Sequence, residues 1–382
     1  MQTLFHHDLR EYGPAAAEAQ ARAQATIDGL IAKGRADLPR FLEHLDVEYT
    51  TRRDNVLPTA GITFDVDMVN DRPVLRTALG AGGLTVGLHE HAFEQALARG
   101  SLHINTQLGR SLRAGPQWQA ELLAHMLNES FSHTDKRHKT LVREVGGTAR
   151  GILSDSFNII DTRPLLEAFA RSAMAAGGVP ILTHELQVKT AVKVLFPTVY
   201  SPFPGEVIAF GVEFRNSDYG AGALDIRVFV IRLWCTNFAT MESELRKVHL
   251  GTKLVEGIGL SFKTHQLAQD TYASAIGDVF RDLNENRFAG IIDRVKAANE
   301  KELEGRDSVL KLLQKNFSKG QSEEIIEVYS GAKAPVDALP PGNTQYRLAQ
   351  AISWWGQHHE DGVVRLDAEN RAGQLLLPAK AA

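Results

Sequence analysis

Between residues 141 and 237 the chain alternates strand-like runs with short polar corners, and this rhythm restricts its fold more than any other feature. Residues 141–144 and 149–153 read as strands meeting at Gly146-Gly147, a pair suited to a tight hairpin turn. Residues 164–174 read as a helix, with Pro164 in its first turn and Gly177-Gly178 closing it. Residues 183–195 alternate as one long strand, and 207–214 and 224–233 as two more. Asn216-Ser-Asp-Tyr-Gly-Ala-Gly is the corner between the last two. The order strand, strand, helix, strand, strand, strand predicts an α+β fold with a central antiparallel sheet and packed helices.

The flanks are helical in texture. Residues 14–33 carry Ile27, Leu30 and Ile31 at helical spacing, and 38–45 read as a second, shorter helix. Residues 62–69 alternate as a strand, followed by helices at 88–98 and 116–130. Helices are also expected at 262–300, 306–317 and 344–358, the last preceded by a Pro/Gly-rich linker at 331–343. Three regions follow: a mainly helical 1–135, an α+β core at 136–330, and a linker with a C-terminal helix at 331–382.

A net charge of -4 excludes a globally basic nucleic-acid binder but not a locally basic face. Cys235 is the single cysteine, so no internal disulfide forms, which fits a reducing compartment. No signal-peptide pattern and no apolar run of the ~20 residues a membrane helix needs is evident. A cytoplasmic protein with no membrane partner is expected.

Candidate chemistry is sparse. Asp65, Asp67 and Asp71 form D-x-D-x-x-x-D, which suits either a divalent cation or the solvent side of an amphipathic strand. His89-Glu-His91 lacks the spacing of helical zinc motifs. Cys235, beside Leu233 and Trp234, reads as an inert, buried thiol. No phosphate loop, nucleophile elbow or dinucleotide fingerprint occurs. No catalytic residue, metal or cofactor is therefore expected, although a metal-dependent enzyme using Asp65, Asp67 or Asp155 stays open as an alternative.

Cations recur within the strand region. Lys136, Arg137 and Lys139, with His138, precede Arg143; Arg150 follows on the next strand, Lys189 and Lys193 share a strand face, and Arg227 and Arg232 flank the last strand. Arg246, Lys247, His249, Lys253 and Lys263 come after it. A groove lined by such groups suits a phosphate backbone, with Phe157, Tyr200, Phe203 or Tyr219 stacking on bases. A solvated sheet face with ordinary ion pairs fits the same residues.

Several segments resemble an uncharacterised phage- and plasmid-borne family, known as "domain of unknown function 932". They include Leu84-Thr-Val-Gly-Leu-His-Glu-His-Ala-Phe-Glu, Leu122-Leu-Ala-His-Met-Leu-Asn and the block Arg150-Gly-Ile-Leu-Ser-Asp-Ser-Phe, where Ser156 and Phe157 replace that family's Arg and Tyr. Asn216-Ser-Asp-Tyr-Gly with Arg232-Leu-Trp-Cys-Thr-Asn237, and Arg347-Leu-Ala-Gln-Ala-Ile, are similar to its later elements. The order of elements also resembles the core of phage single-strand annealing proteins. These resemblances imply a DNA-related role in a mobile element, without a defined reaction. The expectation is a nucleic-acid-binding protein, preferring single-stranded DNA, that supports annealing or recombination without catalysis. Homo-oligomerisation and a purely structural or host-interaction role remain alternatives. Arg143, Arg150, Lys189, Lys193 and Arg227 would contact phosphate, and Asn216, Asp218, Gly220 and Asn237 would shape the corners.

Overall fold

The computed structural model describes residues 4–5, 16–80, 83–135, 137–247, 261–283, 285–335 and 338–377. The N-terminal elements are β1 (Leu4–Phe5), α1 (Ala16–Thr51), β2 (Arg53–Pro58), β3 (Ile62–Val69), β4 (Arg72–Leu79), β5 (Thr85–Leu88), α2 (Glu90–Arg99), α3 (Thr106–Arg113) and α4 (Gln117–Ser132). Next come β6 (Lys139–Val145), β7 (Thr148–Ser154), α5 (Thr162–Ala175), β8 (Val179–Leu186), β9 (Lys189–Tyr200), β10 (Ile208–Asn216), β11 (Leu224–Arg232) and β12 (Asn237–Lys247). The rest is helical: α6 (Phe262–Asp282), α7 (Glu285–Glu300), α8 (Arg306–Leu313), α9 (Lys319–Tyr329), α10 (Gln345–Gln357) and α11 (Gly362–Leu375).

The fold is α+β, with two sheets rather than one. The first runs β2-β6-β7-β5-β4-β3 and the second β1-β9-β10-β11-β12, with β8 also on β9. Only β5–β7 and β1–β9 pair in parallel among the described strands. The first sheet crosses the expected boundary at 135/136, because β6 and β7 pair with β2 and β5. Its core face carries Ile62, Phe64, Val86, Val142 and Ile152 under α2 and α4. In the second sheet, Phe210, Val212 and Phe214 alternate with Ala209, Glu213 and Arg215, so one face is apolar and the other buries charge.

The structure departs from the sequence reading at several elements, for local reasons. Residues 16–51 form one helix that carries Pro39 in its interior. Its apolar stripe is continuous, Ile27 packing before the proline and Phe41 and Leu45 after it, and that burial offsets the roughly 3 kcal/mol a mid-helix proline costs. The long strand expected at 183–195 folds back into β8 and β9, with Leu186 opposite Lys189. Its turn at Gln187-Val188 contains none of the usual turn residues, so the sequence does not mark it. In the region expected to be mainly helical, β2, β4 and β5 join β3. The β3–β4 hairpin turns at Asn70 and Asp71, whose φ values of 49° and 58° are the left-handed geometry these residues tolerate. Gly146 and Gly147, at φ 59° and 78°, close the β6–β7 hairpin as expected.

Three of the edge strands, β3, β8 and β12, are covered. The Asn128 side chain accepts from Phe64 N at 2.7 Å and donates to Phe64 O at 2.9 Å, filling the outward groups of edge strand β3. α1 lies on β8, where a Cβ on Gly34 would collide with the Pro180 carbonyl, and α11 lies on β12, where one on Gly373 would collide with Thr240 O. Gly34→Ala and Gly373→Ala are each expected to lower unfolding free energy by about 1–3 kcal/mol through overpacking. Gly29→Ala, whose Cβ meets nothing within 4 Å, is expected to stabilise α1 instead. Urea midpoints of the three variants check this.

Candidate functional site

Three of the cations singled out by sequence, Arg143, Lys193 and Arg232, serve the interior. Arg143 on β6 is fully buried and spends its donors inside the protein. Its Nε and Nη2 fork onto Asp54 at 2.9 and 3.0 Å, Nη2 also reaches Asp161 at 2.9 Å, and Nη1 donates to Asp218 O at 2.7 Å. Arg52, just after α1, completes the cluster by bonding Asp161 at 2.7 Å and Asp218 at 2.8 Å. Asp218 Oδ1 accepts from Thr162 N at 2.8 Å and Thr162 Oγ1 at 2.6 Å, and Asn216 Nδ2 donates to Ile160 O at 2.9 Å. Burial works against the Arg143 cation, but Asp161, Asp54 and Asp218 overcome it and hold its pKa above the ordinary value. Burial, together with Asp161, raises Asp218.

The corner carrying Asn216, Asp218 and Gly220 is thus a joint between the two sheets. His91 Nε2 and Gln95 Nε2 of α2 bond Tyr219 O at 3.0 and 2.9 Å. Gly220 has φ 77°, and a Cβ there would press on Leu153. Arg150 pairs with Glu48 at 2.7 Å, and the Tyr219 hydroxyl donates to the same carboxylate at 2.5 Å. Lys189 lines a cavity of about 20 Å³ beside this joint, room for about one water.

A second buried cluster accounts for Lys193. Its Nζ, fully enclosed, donates to Glu213 at 3.1 Å and Glu369 at 2.7 Å, and Arg215 bonds Glu213 at 2.6 Å. Burial raises the Glu213 pKa, but Arg215 and Lys193 outweigh it and hold this carboxylate down to about 2. Neighbouring His184 is pushed down to about 3 by burial and by Lys193, so it is neutral. Arg227 turns back on Asp225 at 2.7 Å and Asn370 at 3.2 Å. Arg143 and Lys193 therefore cannot reach a phosphate, and a backbone-tracking face through them is not formed. The reason is that strand cations whose faces are covered must find carboxylates inside.

The other expected residues are dispersed. Arg137 is exposed and paired with Asp135 at 3.0 Å, Lys139 is exposed at the start of β6, and Lys136, His249 and Lys253 lie outside the described residues. Phe157, Tyr200 and Tyr219 are core side chains, and Phe203 stands edge-on to Tyr346. Asp67 pairs with Arg76 across the β3–β4 hairpin at 3.2 Å, Asp71 sits in its turn, and Asp155 is exposed. No group of three His, Cys, Asp or Glu side chains suited to a metal occurs among the described residues.

What does converge is a cleft of about 560 Å³ that sequence reasoning missed. Arg22 from α1, Arg232 from the end of β11, Trp234 just beyond it and Arg347 from α10 meet there, against Gly331 and neighbouring prolines. No Asp or Glu stands among its described lining residues. The Arg22 guanidinium lies 4.9 Å over the Trp234 ring and donates to Trp234 O at 3.2 Å, and the indole N–H donates to Gly205 O at 2.8 Å. Arg347 Nε donates to Tyr329 O at 2.8 Å and Nη1 to Pro340 O at 2.5 Å. Burial lowers the Arg347 pKa and the like charge of Arg232 adds to this, while Tyr329 opposes it. Arg232 is almost fully buried against Glu206, both carboxylate oxygens standing 2.9 Å from its Nε. Its Nη1 lies 3.5 Å from Cys235 Sγ, and burial keeps that thiol above its ordinary pKa, although Cys235 is half-buried rather than enclosed as the sequence reading expects. Residues 22, 234 and 347 share no local motif, so no sequence signal pointed to their meeting.

No family model matches the chain, and no curated protein or solved structure matches it significantly. No helix among the described residues is long and apolar enough to cross a membrane.

Arg143→Met leaves Asp54, Asp161 and the buried Asp218 facing Arg52 alone and is expected to cost about 3–5 kcal/mol of stability, read by chemical denaturation. His184 gives a pH signature. Its folded pKa of about 3 lies below an ordinary histidine's 6.5, so the unfolded chain binds the proton first and stability falls as pH drops from 6.5 toward 3. His184→Gln is expected to remove that slope. Unfolding free energies of parent and variant at pH 7, 6 and 5 measure the difference.

Proposed function

We propose that the protein binds single-stranded nucleic acid without cutting it, in support of annealing or recombination within a phage or plasmid, and that the arginine–indole cleft holds the strand. The observation that carries this reading is the convergence of Arg22, Arg232 and Arg347 on Trp234 in one open cleft with no carboxylate among its described lining residues. Guanidinium groups match phosphate oxygens in planar pairs, and the Arg22–Trp234 stack offers a flat platform to a base. Such a platform is sequence-tolerant, because every base has a π face. Its volume lies within the roughly 300–1,000 Å³ range of small-ligand sites, so one or two nucleotides of a strand would sit inside it. By contrast, the open concavity near Arg287 sets Glu244, Asp278 and Asp282 against Arg281 and Arg287, two of these carboxylates being paired with those arginines, so it offers no cationic excess to a polyanion.

Fluorescence anisotropy of a labelled oligothymidine tests the reading. Affinity is expected to fall with salt at a log–log slope of about -0.7 per phosphate contact. Trp234→Ala is expected to remove about 1–3 kcal/mol of binding, and Arg22→Gln to weaken binding and flatten the salt slope. Arg137→Ala and Lys139→Ala lie away from the cleft and are expected to bind as the parent does. Absence of binding at low salt, or full retention by Trp234→Ala, defeats the proposal.

A further inference from the structure

The cleft's deepest cation carries its own counter-charge. Glu206 precedes β10, is 1% exposed, and straddles the Arg232 Nε with both oxygens. With the cleft taken as the strand-binding site, we infer that Glu206 sets its affinity for anions: as a carboxylate it neutralises Arg232, and once protonated it leaves that charge to a phosphate in the cleft.

The geometry isolates this one group. Glu206 faces Arg232 from the end of β11 and Cys235 from the turn after it; from α10 it faces Tyr346, with Arg347 beside Arg232; from α1, Arg22 reaches the cleft mouth. The arginines stay charged throughout the neutral range. The Tyr346 phenol is raised well above its ordinary value by burial and by Glu206, and the Cys235 thiol is raised from 9 by burial, so neither titrates near neutrality. No histidine stands among the described lining residues. Glu206 itself is pushed up to about 7 by burial, against the pull of Arg232. A phosphodiester does not titrate in this range, so a neutral-pH change in affinity for a strand reports on the protein.

The sign follows from linkage. Binding an anion beside Arg232 competes with the Glu206 carboxylate and favours its protonated form. Binding therefore takes up a proton above the pKa of Glu206, and affinity rises as pH falls. The structural constraint is that Arg232 must stay in place when Glu206 is neutral. Its Cys235 contact and its position at the end of a central strand hold it there.

Oligothymidine affinity measured from pH 8 to pH 6 is expected to rise about tenfold, the limit being tenfold per pH unit for one linked proton. Calorimetry of the parent protein at pH 8, in buffers of different ionisation enthalpy, is expected to show proton uptake on binding. Glu206→Gln is expected to bind at the parent's low-pH affinity across the whole range, with its melting temperature confirming that it folds. If that variant is unstable, the parent's proton uptake decides alone. An affinity that is flat with pH and shows no proton uptake, while Trp234→Ala still weakens binding, overturns the role of Glu206 and leaves the cleft reading standing. Absence of any effect of Trp234→Ala overturns the cleft reading and this inference with it.

Discussion

The arrangement of the two sheets depends on one buried joint, in which two guanidinium groups meet three carboxylates. Arg52 and Arg143 bind Asp54, Asp161 and Asp218, which come from the end of α1, from β2, from β6, from the start of α5 and from the β10–β11 corner. Each of these elements belongs to a different part of the chain, so the cluster forms only when all are in register. A buried ion cluster of this kind adds little net stability over apolar packing, but removing one partner leaves a charge stranded. Its value is therefore in geometry. The Arg143 fork fixes the distance from β6 to β2 and, through Asp218 O, from the first sheet to the corner of the second.

The same solution recurs where α11 closes over the second sheet. Lys193, Glu213, Arg215 and Glu369 form a four-membered buried set, with Asn370 bridging Arg215 and Arg227 at 2.9 and 3.2 Å. Two cations and two carboxylates balance there, which permits a polar sheet face to be covered by a helix. Edge strands β8 and β12 are then shielded by helices that approach through Gly34 and Gly373, and β3 by the Asn128 amide. Cations that a sequence reading assigns to an outer groove are in this way drawn inward by the layers that cover them.

This difference marks how far the sequence could be read. The strands β3, β6, β7, β10 and β11, the Gly146-Gly147 hairpin and the Asn216–Gly222 corner were legible because they depend on alternation and on turn residues, both local properties, whereas β2, β4, β5 and β12 were not read as strands. The β8–β9 fold-back was not, since Gln187-Val188 carries no turn residue. The side a strand presents to solvent was not legible either. Lys189 and Lys193 lie on one face of β9, yet Lys193 is enclosed because α11, some 170 residues later, supplies Glu369. The D-x-D-x-x-x-D pattern dissolved for a local reason that the spacing concealed: Asp71 occupies a hairpin turn, whereas Asp67 pairs with Arg76 across the strands. The cleft was invisible because its members are single arginines in two separate helices, one arginine at a strand end and one indole just after it.

The segment that reads as a Pro/Gly-rich linker gives that cleft its shape. Gly331 and Gly342 adopt φ 84° and 83°, bends that other residues rarely accept, and between them the chain folds back to bury Ala338 and Leu339. Asn237, fully buried at the start of β12, reaches Ala338 O at 3.4 Å and Gln350 O at 3.2 Å, tying this wall to both the sheet and α10. Arg347 binds the carbonyls of Tyr329 and Pro340 on either side of it. An arginine that bonds backbone carbonyls with Nε and Nη1 is fixed in orientation before any ligand arrives, which lowers the entropy a bound anion must offset. The corner asparagine and the wall arginine thus act at different distances on one feature. Asn237 holds the backbone that Arg347 reads, and Arg347 turns a stretch of proline and glycine into one side of a charged cleft.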